Sequence, residues 1–202
     1  MTKGQKTFLL IVLILLIDQV SKMWVKTHMM LGQEYHVLGD WFRIHFTENN
    51  GMAFGFEIGG EYGKMALSIF RIIAVIAIAF FLVNLHKQKA PRGLLISIAL
   101  ILAGALGNII DSLFYGMIFS DSYYKVAGFL PAEGGYSSFL HGKVVDMFYF
   151  PVVNTHLPDW FPFWPNRHVV FFRPVFNVAD SAITIGVFSI LLFQRRHFKH
   201  HS

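Results

Sequence analysis

FNVADSAITIGVFSILLF, Phe176 to Phe193, is an apolar run of membrane-helix character with an aspartate, Asp180, near its start. A carboxylate inside a transmembrane segment costs a few kcal/mol, so it marks a functional position unless its neighbours explain it more simply. The simpler explanation is a helix N-cap, or a first-turn acid that complements the helix dipole. The rest of the chain has to decide between the two.

Working outward, the 202 residues are 54% hydrophobic and only 14% charged, with a mean hydropathy of +0.51. Soluble domains carry about 25% charged residues, so the composition is that of a polytopic membrane protein, read as one domain. Cysteine is absent, which excludes a disulfide framework and thiol chemistry. Four runs approach the roughly 20 apolar residues that span a bilayer, at about 8–24, 65–85, 94–114 and 178–193. The first follows Lys3 and Lys6 like a signal peptide, but it leads into DQVSKMW with no small-x-small cleavage pattern, so a retained helix is expected.

Basic residues set the expected orientation. Lys3, Lys6, the short loop HKQKAPRG with Lys87, Lys89 and Arg92, and then Arg195, Arg196 and Lys199 all fall on one side. Both termini are therefore expected in the cytoplasm, and two long loops, about 25–64 and 115–177, face outward. In the first loop HVLGDWFRIHF has a turn candidate at Gly39-Asp40 with alternating flanks, which predicts a small strand pair. The second holds Trp160, Phe161, Phe163 and Trp164 among prolines, which suits the headgroup level.

At 1.5 Å per residue, Asp18 falls roughly half to two thirds of the way across the first helix, and Asn108 and Asp111 near the outer end of the third. Asp180 opens the fourth from the outer side, and Asp146, in GKVVDMFYF, lies in the second outer loop. Carboxylates from four segments thus converge on the outer leaflet, within apolar flanks, as a site would require. Simpler roles compete. Asp18 and Lys22 share a helix face at i, i+4 and can pair. Asn108 and Asp111 can hydrogen-bond neighbouring helices, Ala103, Gly104 and Gly107 make a face for close helix packing, and ENNGMAFG can be a turn.

Asp146 and Asp180 are the pair least easily explained that way. Two close carboxylates in low dielectric hold one proton between them. One can then deprotonate water while the other donates to a carbonyl, which is peptide hydrolysis without a covalent intermediate. Other routes are poorer. There is no HExxH, and His141, His156 and His168 lack metal-ligand spacing. Ser21 and Lys22 are adjacent and diverge on a helix.

DQVSK (Asp18, Gln19, Lys22), NNGMAFG (Asn50, Gly51, Ala53, Phe54), AGALGNIID (Gly104, Gly107, Asn108, Asp111), VVDM (Asp146) and FNVADS (Asn177, Ala179, Asp180, Ser181) occur in an order and spacing that resemble the motifs of lipoprotein signal peptidase, or signal peptidase II. That resemblance implies an aspartyl protease of the bacterial inner membrane that cleaves a prolipoprotein before its lipidated cysteine. It implies Asp146 and Asp180 as the catalytic dyad, with Asn50, Gly51, Gly104, Asn108, Asp111, Asn177 and Ala179 lining or supporting the site, alongside Asp18 and Lys22. The expected fold is an all-α integral membrane protein of four transmembrane helices, with a small β-cradle from the first outer loop and a long second outer loop. The expected partners are lipidated prolipoproteins, membrane lipids and globomycin-type inhibitors, with no nucleic acid, no metal and no cofactor; a monomer is expected.

Two departures from the family pattern stand out. Ser112 takes a place where the family usually has arginine, and the second outer loop is enlarged. Arg71, in SIFRIIAV, is the arginine within a predicted span. It either snorkels to headgroups or turns inward to take over the missing cation's role. The competing functions are a proton-coupled carrier using Asp18, Asp111 and Asp180 as a relay, and a non-catalytic assembly factor that binds lipids or partners with its outer loops.

Overall fold

The computed structural model describes residues 1–50, 60–151, 153–156, 168–171 and 174–194. Its elements are α1 Lys3–His28, β1 Glu34–Leu38, β2 Phe42–Asn49, α2 Gly60–Lys87, α3 Arg92–Ile110, a π-helical turn Asp111–Tyr115, α4 Gly116–Ile118, β3 Val144–Tyr149, β4 Val153–His156, β5 His168–Phe171, β6 Val175–Phe176 and α5 Val178–Phe193. The stretches Lys3–His28, Tyr62–Lys87 and Arg92–Ile118 are long and apolar enough to cross a membrane. The helix α5 is apolar but shorter, at 16 residues.

The helices overrun the expected bounds of 8–24, 65–85 and 94–114. A capping box starts α1 early, with Thr2 Oγ1 accepting from Gln5 N–H at 3.2 Å and Gln5 Oε1 accepting from Thr2 N–H at 2.8 Å. At its other end α1 continues past the apolar run because Lys22 and Lys26 are buried against polar partners rather than turned to water. The chain leaves α3 through the π turn into α4 without a break.

The helix α3 is the buried centre. Leu94, Ala99 and Ala103 are inaccessible, while α1, α2 and α5 leave Phe8, Val20, Ile76, Phe80 and Leu192 exposed, as lipid-facing surfaces do. Small residues bring α3 against α5. A Cβ at Gly104 would lie 2.2 Å from the Ala179 carbonyl oxygen, and one at Gly107 would lie 3.1 Å from the Ala179 Cβ and 2.6 Å from Asp18 Oδ2. Only glycine permits that approach. The π turn then meets the second outer loop: the carbonyls of Ser112, Leu113 and Gly116 accept from the amides of Gly142, Leu140 and Ser137.

The strand pair expected at 36–46 forms, with β1 and β2 antiparallel about the Gly39–Trp41 turn. Its setting corrects the expectation. The sheet runs β1-β2-β3-β6, so half of its strands come from the second outer loop, not from the first alone. A two-stranded hairpin is marginal by itself, and a third strand with an apolar face supplies what it lacks. Here Phe46, Val145 and Met147 form that face, packed with Val25, Met29, Tyr115 and Phe119. Strands β4 and β5 make a separate antiparallel hairpin.

Candidate active site

At the end of the bundle capped by the sheet, the polar residues of α1, α3, β3 and α5 interlock. The innermost layer centres on Lys22, whose side chain is inaccessible. Its ammonium lies 2.8 Å from Asp18 Oδ2 and 2.9 Å from Asp111 Oδ2, and donates to Asn108 Oδ1 at 2.9 Å. Three donors meet three acceptors, which satisfies a buried ammonium. The i, i+4 pairing of Asp18 with Lys22 is therefore real, and Asp111 joins it from α3.

The second oxygen or second bond of each acid goes to backbone beside the outer pair. Asp18 Oδ1 accepts from Ala179 N–H at 2.9 Å, and Asp111 Oδ2 accepts from Val145 N–H at 3.2 Å. Ala179 precedes Asp180 and Val145 precedes Asp146. The inner acids thus hold the two chain segments that carry the outer ones.

The outer pair is joined through Asn177. As N-cap of α5, Asn177 accepts on Oδ1 from Asp180 N–H at 2.8 Å, while Asp180 Oδ2 accepts from Asn177 N–H at 3.3 Å. Asp180 is therefore the acid of a capping box, as the simpler reading of its sequence position allows. It is also more than that. Asn177 Nδ2 donates to Asp146 Oδ1 at 2.7 Å, and Asn108 Nδ2 donates to Asp180 Oδ1 at 2.7 Å. One asparagine reaches both carboxyl groups, and Asn177 and Asn108 are themselves joined at 3.1 Å. Asp146 is 4% exposed. Burial, then the nearby charge of Asp180, pushes its carboxyl up to about 7 against the pull of Lys22, Asn177 and Asn49.

The structure thus gathers Asp18, Lys22, Gly107, Asn108, Asp111, Asp146, Asn177, Ala179 and Asp180 into one network, with Gly104 setting the α3–α5 approach beside it. Asn50 accepts from Lys64 of α2 at 3.2 Å. Gly51 lies outside the described residues, as do Ala53, Phe54 and the Trp160–Trp164 aromatics. Arg71 does not snorkel: its Nη1 donates to Ser112 Oγ at 3.4 Å, and its guanidinium feels the charges of Asp180, Asp111 and Asp146. The small Ser112 leaves room for an arginine arriving from the neighbouring helix.

Two participants were given no site role from the sequence: Gln19 is named only within the DQVSK motif, and Asn49 lies unmarked within ENNGMAFG. Gln19 donates from Nε2 to Asp18 Oδ2, Asp111 Oδ1 and the Gly107 carbonyl at 3.1, 3.0 and 3.2 Å, and its Oε1 accepts from Tyr115. Its place beside Asp18 was the available signal. Asn49 hydrogen-bonds Asp146, and nothing in the sequence distinguishes it from Asn50.

The sequence profile of signal peptidase (SPase) II matches residues 10–195. A lipoprotein signal peptidase of Porphyromonas gingivalis is 50% identical over 191 residues, covering 94% of this chain and 83% of that protein. One from Amoebophilus asiaticus is 41% identical over 196 residues, covering 96% and 79%. Two solved bacterial membrane enzymes share the fold: one with a TM-score of 0.64 at 24% identity, covering 98% of this chain and 92% of that one, and another with 0.61 at 28%, covering 95% and 93%. These similarities lend no support to a proton-coupled carrier.

Proposed function

The chain belongs to the signal peptidase II family of aspartic peptidases, which remove the signal peptide from prolipoproteins, and on that premise we propose that Asp146 and Asp180 are the two carboxyl groups that perform the hydrolysis. The observation that carries the assignment is Asn177, which hydrogen-bonds both of them. Asp146, whose carboxyl burial raises to about 7, donates in its protonated form to the carbonyl oxygen of the scissile bond. Asp180 takes a proton from the attacking water. The tetrahedral diol then collapses: Asp180 passes its proton to the departing nitrogen, and Asp146 recovers one from the diol hydroxyl. Asp18, Lys22, Asn108, Asp111 and Gln19 position the pair, and Arg71 stands where a substrate backbone would need a donor.

The scissile bond is the one before the lipidated cysteine, near the outer membrane interface. Lys3, Lys6 and Arg92 share one end of the bundle, away from Asp146, which supports cytoplasmic termini and an outer-leaflet site in the inner membrane. The chain acts as one membrane-embedded peptidase domain, a monomer with α5 as its fourth span, open to lipids and to globomycin-type inhibitors. Thiols introduced at Gln33 and Ser137 should react with an impermeant reagent from outside, and one at Gln88 should not; outside labelling at Gln88 reverses the orientation. The decisive assay is a gel shift on a lipidated prolipoprotein. Asp146→Asn and Asp180→Asn should each fold and lose about 10²–10⁴-fold in rate. Either variant cleaving at near the wild-type rate removes the assignment.

A further inference from the structure

The sheet face that the proposed chemistry does not use carries a second buried charge cluster. Glu48 of β2 has a side chain only 2% exposed and is ion-paired with the buried Lys26 of α1. Lys26 Nζ also donates to Ser122 Oγ at 2.9 Å, and Ser122 Oγ donates to the same Glu48 oxygen at 3.2 Å. The other Glu48 oxygen is 3.2 Å from Lys143 Nζ. Tyr136 closes the cluster: its ring centroid is 4.6 Å from Lys26 Nζ, and its hydroxyl accepts from Lys143 N–H at 2.7 Å. Helix α1, strand β2, the second outer loop and the residue leading into β3 therefore meet on one carboxylate.

Burying ions beside Phe46, Phe119 and Val145 is costly, and apolar residues of equal volume would hold these segments at least as firmly. What a buried ion pair supplies and a leucine does not is register. Strand β2 has need of it. Its pairing with β3 shifts between Ile44 and Thr47, and no hairpin turn sets the register of these two strands, because the Gly39–Trp41 turn joins β2 to β1 instead. Beyond that shift, Thr47 opposes Asp146, Glu48 opposes Val145 and Asn49 opposes Val144. Strand alternation puts Thr47 and Asn49 on the Asp146 face, and Glu48 with Phe46, Val145 and Met147 on the core face. A slip of one residue exchanges the faces. Asn49, which hydrogen-bonds Asp146, would turn into the core, and the charge of Glu48 would face Asp146.

We propose that Glu48, gripped by Lys26 and Lys143, is a positioning residue that pins the register of β2 on β3 and so keeps Asn49 against Asp146. The proposal rests on Asp146 being catalytic. The test compares Lys26→Met/Glu48→Leu with wild type and with Asp146→Asn, measuring prolipoprotein cleavage across pH and unfolding in parallel. The apolar pair restores packing without the pin. Its unfolding midpoint should equal or exceed that of wild type, while kcat falls on the order of 10²-fold with KM little changed. The alkaline limb of its pH profile should move to higher pH, because Asp146 loses the Asn49 bond. Wild-type kcat with a wild-type profile overturns the proposal, as does a lower kcat with an unmoved limb. If the double variant fails to fold, Lys143→Met, which spares the Lys26–Glu48 pair, should move the limb the same way by less; an unmoved limb there also overturns it. Activity retained by Asp146→Asn removes the premise, whereas an inactive Asp146→Asn beside a normal double variant refutes the pin alone.

Discussion

Lys22→Met tests whether the inner layer holds the outer pair in place. The wild-type ammonium is shared by Asp18 and Asp111 at 2.8 and 2.9 Å, with all three side chains inaccessible. Methionine fills similar volume but leaves two carboxylates facing each other across the vacated site. At ~5 Å and an effective dielectric of ~20, their repulsion is about 3 kcal/mol. Removing one partner of a buried ion pair costs about 3–5 kcal/mol by measurement on other proteins, and proton uptake by one acid keeps the penalty within that range. The expected loss is therefore about 3–5 kcal/mol, a factor of roughly 10²–10⁴ in the unfolding equilibrium constant. The triple variant Asp18→Asn/Lys22→Met/Asp111→Asn should recover most of it, since each amide oxygen can still accept from Ala179 or Val145. Unfolding in detergent micelles titrated with SDS, followed by tryptophan fluorescence, reads the difference. A loss below about 1 kcal/mol in the single variant, or a triple variant no more stable than the single, would show that the cation does not hold this layer together.

Three further outcomes follow. Arg71→Lys keeps the charge but loses the planar fork; it should lower cleavage about tenfold, with partial recovery on adding Ser112→Arg, and an unchanged rate would leave Arg71 without a role in binding substrate. Asp146, held near 7, should give kcat/KM an alkaline limb as its proton leaves above about pH 7. The same group binds its proton more tightly folded than unfolded, so its contribution to stability is full below about pH 4 and is lost as pH rises through about 7. Asp146→Asn should flatten that part of the stability profile, and a slope that persists in the variant assigns it to another group.

The sequence by itself determined the class of protein, the basic end of the bundle, the α5 bounds, and the segments whose polar residues the structure brings together. Those properties are local: apolar run length, lysine placement and short motifs are written in consecutive residues. It also marked Gly104 and Gly107 as a packing face, because small residues spaced along a helix have few other uses. Part of the division of labour among the four aspartates was legible as well: the i, i+4 spacing pairs Asp18 with Lys22, and Asp146 and Asp180 stand out as the pair least easily explained structurally. The bonds that join the four were not legible there. A lysine lies between two and an asparagine between the others, and the decisive bonds join residues as far apart as Asp18 and Ala179, 161 positions along the chain. The same holds for the sheet, whose third strand comes from the second outer loop, and for Arg71, whose direction depends on a helix face packing over Ser112. A carboxylate's role is fixed by its burial and by the charges that reach it, and both exist only once distant segments have packed together.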